Sequence, residues 1–101
     1  MINSEQINKI QSIITQSSQA IDLYRSYMDK YQNDWDENEK NKAFQTLGTL
    51  GLFEYELEEF LTKVKNKQSI SDADEEMLFE HYLPIADSFS THIIETLKDI
   101  A

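Results

Sequence analysis

Two glycines and one proline are all that this chain of 101 residues has for making tight turns. Sheets need a turn every several residues. Turns rely on glycine for left-handed backbone and on proline for a preset φ. The scarcity points away from strands and toward a few long helices joined at few corners. The apolar residues agree. Ile7, Ile10, Ile14, Ser17, Ile21, Tyr24, Met28, Tyr31 and Trp35 alternate spacings of three and four, which is one helical seam. Ala43, Leu47, Leu50, Phe53, Leu57, Phe60, Leu61 and Val64 share one face of a second helix. Leu78, Tyr82, Ile85, Phe89, Ile93, Leu97 and Ile100 form a third stripe.

Boundary signals divide these stripes into helices over about 3–33, 37–66 and 72–100. Asn3 followed by Gln6, and Asp36 followed by Glu39, are spaced as capping boxes. Ile2 and Ile7 are spaced as a hydrophobic staple around the first cap. Ser71 caps a third start, whose acids Asp72, Asp74, Glu75 and Glu76 suit the positive end of the helix dipole. Lys63, Lys65 and Lys67 suit the negative end of the second helix. Gly48 and Gly51 are the weak point of that helix, each costing up to ~1 kcal/mol relative to alanine, with a break near 48–51 as the alternative to a continuous rod. Pro84 interrupts the third stripe by removing a donor and crowding the carbonyl of Glu80.

Each segment is roughly 45 Å long at the α-helical rise. The short linkers force neighbours to run antiparallel. The expected fold is all-α: one domain over 1–101, an antiparallel up-down-up three-helix bundle. Its third helix is kinked at Pro84, or split there to give a four-helix variant.

Nineteen acidic residues against nine basic ones give a formal charge of −10. Such a chain repels nucleic acids and anionic membranes and attracts basic surfaces. No cysteine is present, so thiolate chemistry is excluded. The first residues carry no basic patch or apolar run, and no segment has the roughly 20 apolar residues of a membrane span. Cytoplasm is the expected compartment.

Candidate sites are few. Folding the first helix on the second, and the second on the third, sets Ser17, Glu54, His81 and Tyr82 near one level. A shared polar layer is expected there, fixing register or holding a ligand. His81 and His92 lack the glutamate three residues before them that di-iron bundles use, so no metal is expected. Asp87, Ser88 and His92 lie within helix, where no backbone donor is free to form an oxyanion hole. No cofactor motif is present.

From Ser71 to Ala101 eight acids face only Lys98. Glu76, Glu80, Asp87 and Glu95 fall in one sector of the helical wheel, an acidic strip suited to a basic groove. Leu52 and Tyr55 lie behind the main stripe of the second helix, on the side of Gly48. Burial against the third helix is their expected fate, with docking of a partner as the alternative. Trp35 stands at one end of the bundle, to cap the core or anchor a partner.

A helical hairpin with a tryptophan at its turn resembles the small WXG-type secretion substrates. The turn here reads Trp35-Asp36-Glu37, without that motif's glycine, and a third helix follows. No functional residue carries over. The expected function is a non-enzymatic, inhibitor-like protein that occludes a basic partner, of the immunity or antitoxin kind. A structural or assembly module that forms helical oligomers is the alternative.

Overall fold

The computed structural model describes residues 2–101, and these are all-helical, with three helices and no strand among them. The first, α1 (Ser4–Tyr31), opens on the expected capping box. Asn3 Oδ1 accepts from the Gln6 N–H at 2.8 Å, and Gln6 Oε1 accepts from the Asn3 N–H at 3.0 Å. The α-helix ends at Tyr31 rather than near 33, because Gln32–Asp34 tightens into a 3-10 turn. Asp36 then caps α2 (Glu37–Lys65), accepting from the Glu39 N–H at 2.8 Å.

The helix expected over 37–66 runs unbroken through Gly48 and Gly51. Neither glycine takes a positive φ. Ala43, Leu50, Phe53, Leu57 and Leu61 are buried along one side of α2, on both flanks of the glycines. Burying one such leucine fully contributes about 1.5–3 kcal/mol, which outweighs the glycine cost. The end of α2 is a Schellman motif. The Gln68 N–H donates to the Lys63 carbonyl and the Lys67 N–H to the Val64 carbonyl, with Lys67 left-handed at φ 57°.

The third helix consists of α3 (Asp72–Glu76), a π turn (Met77–Tyr82) and α4 (Leu83–Leu97). Ser71 Oγ caps it by accepting from the Asp74 N–H. Dihedrals at the junctions stay helical, as at Met77 (−59°, −42°) and Leu83 (−60°, −45°). Pro84 explains the π turn. It has no N–H for the Glu80 carbonyl, and its ring would strike that oxygen in α geometry. The turn widens instead, so that the Leu83 N–H donates to the Leu78 carbonyl five residues back.

One extra residue in that turn changes which side chains face inward. Leu78 is followed in the interior by Leu83, Ala86, Ser90 and Leu97. Of the expected stripe, Leu78 and Leu97 are buried and Tyr82 and Phe89 pack against the core cluster, but Ile85 is turned outward. Ile85 is 58% exposed and Ile100 43% exposed, while Tyr82 and Phe89 are half-buried.

Both α2 and the third helix pack on α1, and they approach each other less closely. One apolar cluster joins Ile10 and Ile13 of α1, Phe53, Leu57 and Leu61 of α2, and Leu78, Leu83 and Ala86 of the third helix. Phe53 meets Tyr82 and Phe89 edge-on, with ring centroids 5.6 and 5.7 Å apart. Ser17 and Ala20 of α1, and Ala86 and Ser90 of α4, have no exposed surface. Small side chains there allow close backbone approach. The molecule is elongated, 49 × 24 × 21 Å, so most of each helix has one side in water.

Candidate functional site

The expected polar layer of Ser17, Glu54, His81 and Tyr82 does not assemble. Ser17 is fully buried, but its hydroxyl has no hydrogen-bond partner. Glu54 instead lines a groove between α1 and α2 with Ser18, Asp22 and Glu58. Partial burial, then the Glu58 and Asp22 carboxylates, hold Glu54 above the usual carboxylate range, and Arg25 opposes them. His81 is exposed. The Tyr82 hydroxyl is buried and makes no well-formed hydrogen bond. Burial first, and the nearby Glu56 carboxylate second, push its phenol well above the ordinary value. Glu54 faces the groove between α1 and α2, His81 faces solvent and Tyr82 packs against the core, so the four do not meet.

The acidic strip divides in two. Glu76, Glu80 and Glu95 are exposed. Asp87 is half-buried and held by α1. The Gln16 amide nitrogen lies 2.8 Å from Asp87 Oδ1, 3.1 Å from the Asp87 carbonyl, and 2.8 Å from both Ser90 Oγ and Thr91 Oγ1. Its two protons are shared among those oxygens. The extra residue of the π turn carries Asp87 toward α1 and out of line with Glu76 and Glu80. In its place the turn brings Ile85 outward, and Met77 is 60% exposed on the same helix. Sequence reading missed both residues. The signal for Ile85 was Pro84, once its conflict with the Glu80 carbonyl is resolved by a wider turn.

On α2, Leu52 is 51% exposed and Tyr55 64% exposed, which corrects the expected burial against the third helix. Phe44, which sequence reading did not single out, joins them at 60%. A Cβ added at Gly48 or Gly51 would meet nothing within 4 Å. The glycines therefore serve no close approach within the chain. Trp35 is half-buried, its ring 5.2 Å from Tyr27, which also stacks near Tyr24 and Tyr31. Trp35 closes one end of the helices as part of an aromatic cluster.

Among the described residues, no three His, Asp or Glu side chains converge as metal ligands, and no helix is long and apolar enough to cross a membrane. His92 is exposed, as is Ser88. The molecule thus presents two surfaces with distinct chemistry, an acidic row with apolar neighbours on the third helix and an apolar face on α2. No protein-family model matches the chain, and no curated protein or solved structure is significantly similar to it.

Proposed function

We propose that this protein is a non-enzymatic binding module, a single-domain antiparallel up-down-up bundle that recognises a basic protein partner and occludes its working surface. The bundle reading is supported by short linkers and by the cluster that pairs the start of α1 with the end of α2 and the start of the third helix. The observation that carries the functional reading is the outward row of Glu76, Glu80 and Glu95 with exposed Met77 and Ile85 on the same helix. Acids steer the encounter and reject acidic competitors, while exposed apolar side chains supply short-range energy once water is expelled. The formal charge of −10 favours a partner built for phosphates, such as a nuclease toxin or a nucleic-acid-handling enzyme, in the manner of immunity proteins and antitoxins.

The test is association kinetics with a basic nuclease as probe. Glu76→Lys, Glu80→Lys and Glu95→Lys together should slow association about tenfold at low salt and flatten its salt dependence. Asp87→Asn should slow association far less, because it removes one charge where the triple variant reverses three. Ile85→Asp should act mainly on dissociation. Unchanged rates in the triple variant of a complex that does form would remove the third helix from the interface.

A second reading, a module that assembles helical oligomers, is favoured by the exposed Phe44, Leu52 and Tyr55 on α2.

A further inference from the structure

The outer face of α2 carries a sequence that reads alike from both ends. Lys40, Phe44, Gly48, Gly51, Tyr55 and Glu59 follow one another at spacings of 4, 4, 3, 4 and 4. From the centre outward in either direction come a glycine, an aromatic ring and a charge, and the two charges are opposite. All six lie away from the buried side of α2 formed by Ala43, Leu50, Phe53, Leu57 and Leu61. The aromatic rings are more than half exposed, Gly48 and Glu59 are exposed, and Lys40 and Gly51 are half-exposed.

We infer that this face is a two-fold docking surface for a second copy of the chain, with α2 crossing α2 of its partner antiparallel at Gly48 and Gly51. A two-fold axis places residue i against residue j and j against i. With the axis between the glycines, Lys40 meets the other copy's Glu59, Phe44 meets its Tyr55, and Gly48 meets its Gly51. Every pair is complementary, and each occurs twice. The fours in the spacing are the ridges that interdigitate in the commonest class of helix crossing. Glycines at the crossing let two backbones come close, and that is a use for two residues whose missing side chains serve nothing inside the monomer. Leu52, beside the notch, adds apolar surface on each side.

Charge selects a second copy over a basic partner here. The face carries its own cation and anion at opposite ends. A like copy in reverse satisfies both, whereas a uniformly basic surface would satisfy Glu59 and repel Lys40. The size is modest. An aromatic side chain covered from full exposure buries roughly 150–250 Å², and Phe44, Tyr55 and Leu52 have only 60%, 64% and 51% of their surface left to cover. Three large side chains per copy, with the stems of Lys40 and Glu59, bring the contact to the order of 1,000 Å², the lower limit for a specific interface. A contact at that limit belongs with weak, concentration-dependent associations.

This inference deepens the assembly reading and does not touch the acidic row of the third helix. Sedimentation equilibrium from about 5 to 200 μM should show the mass rise from 11.8 kDa toward twice that value. Higher salt should strengthen the dimer, since two copies of charge −10 repel at long range. Salt should weaken capture of a basic partner, so the two readings separate. Gly48→Leu fills the notch where a Cβ meets nothing. It should raise the melting temperature of the monomer while weakening dimerisation more than about tenfold. Lys40→Glu should weaken the dimer, and Lys40→Glu combined with Glu59→Lys should restore it, as pairing of residue 40 with residue 59 of the other copy requires. A monomer at 200 μM, or a dimer indifferent to Gly48→Leu and to the charge exchange, would overturn the proposal.

Discussion

The two helices that flank α1 respond in opposite ways to a residue poorly suited to a helix. In α2, Gly48 and Gly51 weaken the backbone without turning it, and the buried side keeps its phase over 29 residues. In the third helix, Pro84 turns the backbone without ending it. The π turn inserts one residue and rotates everything downstream. Glycine changes how firmly a helix is held, because it acts on backbone entropy. Proline changes which residues are inside, because it removes one specific hydrogen bond and fills the space of another. The consequence is visible at the surface. Ile85 is turned out and Asp87 is turned toward Gln16, so the proline shapes the surface that a partner would meet.

The sharpest way to break this comparison is to truncate the residues on either side of the phase change. Leu83→Ala should cost about 2–5 kcal/mol in a urea titration, since Leu83 is 1% exposed in the core cluster. Ile85→Ala should fall within about 0.5 kcal/mol of the parent. Equal losses at the two positions would mean that the α phase persists through Pro84.

The two fully buried serines sharpen it further. Ser90 Oγ donates to the Ala86 carbonyl at 2.6 Å and accepts from Gln16. Ser17 Oγ has no partner. Ser90→Ala should destabilise by about 1–2 kcal/mol, leaving the Gln16 amide short of an acceptor, whereas Ser17→Ala should stabilise by about 1 kcal/mol. Thermal unfolding of the pair decides the matter by sign.

On α2 the glycines are misplaced for stability. Gly48→Ala and Gly51→Ala should each add about 0.5–1 kcal/mol, since both side chains would stand in open space. Lys67→Gly should add a similar amount by relieving the left-handed backbone at the Schellman motif. If Gly48→Ala destabilises the monomer, the glycine is needed within the chain after all.

The smallest effect belongs to Glu54. Its folded value lies above the ordinary 4.5 because burial and then Glu58 and Asp22 disfavour the charge. Such a group binds its proton more readily folded than unfolded. The stability it contributes is present below pH 4.5 and lost as pH rises through the elevated folded value. Glu54→Gln should therefore be the more stable form at neutral pH, and the gap should close on acidification below 4.5. A gap of constant size across that range would show that Glu54 titrates alike in both states.

Local chemistry made part of the molecule legible in advance. Asn3 with Gln6, Asp36 and Ser71 are caps whose hydrogen bonds reach three residues, so their spacing is enough to place three helix starts. The buried side of α2 was legible because an unperturbed helix has one period. The polar layer was not, since Ser17, Glu54, His81 and Tyr82 sit on three helices, and a rotation of one residue in any of them separates the group. The exposure of Leu52 and Tyr55 was not legible either. Whether a helix has one neighbour or two is a property of the assembled chain.

The scarcity of glycine and proline, the three apolar stripes, the capping residues and the excess of acid determined by themselves that the chain is helical, where its helices start and that its surface is negative. These depend on covalent chemistry and on interactions within a few residues. Tertiary structure decided the rotation of each helix about its own axis. That rotation set which acids remain free, which aromatic rings stay in water and which hydroxyl is left without a partner. It follows from how one widened turn and two close-packed interfaces with α1 are satisfied together, and no single segment carries that information.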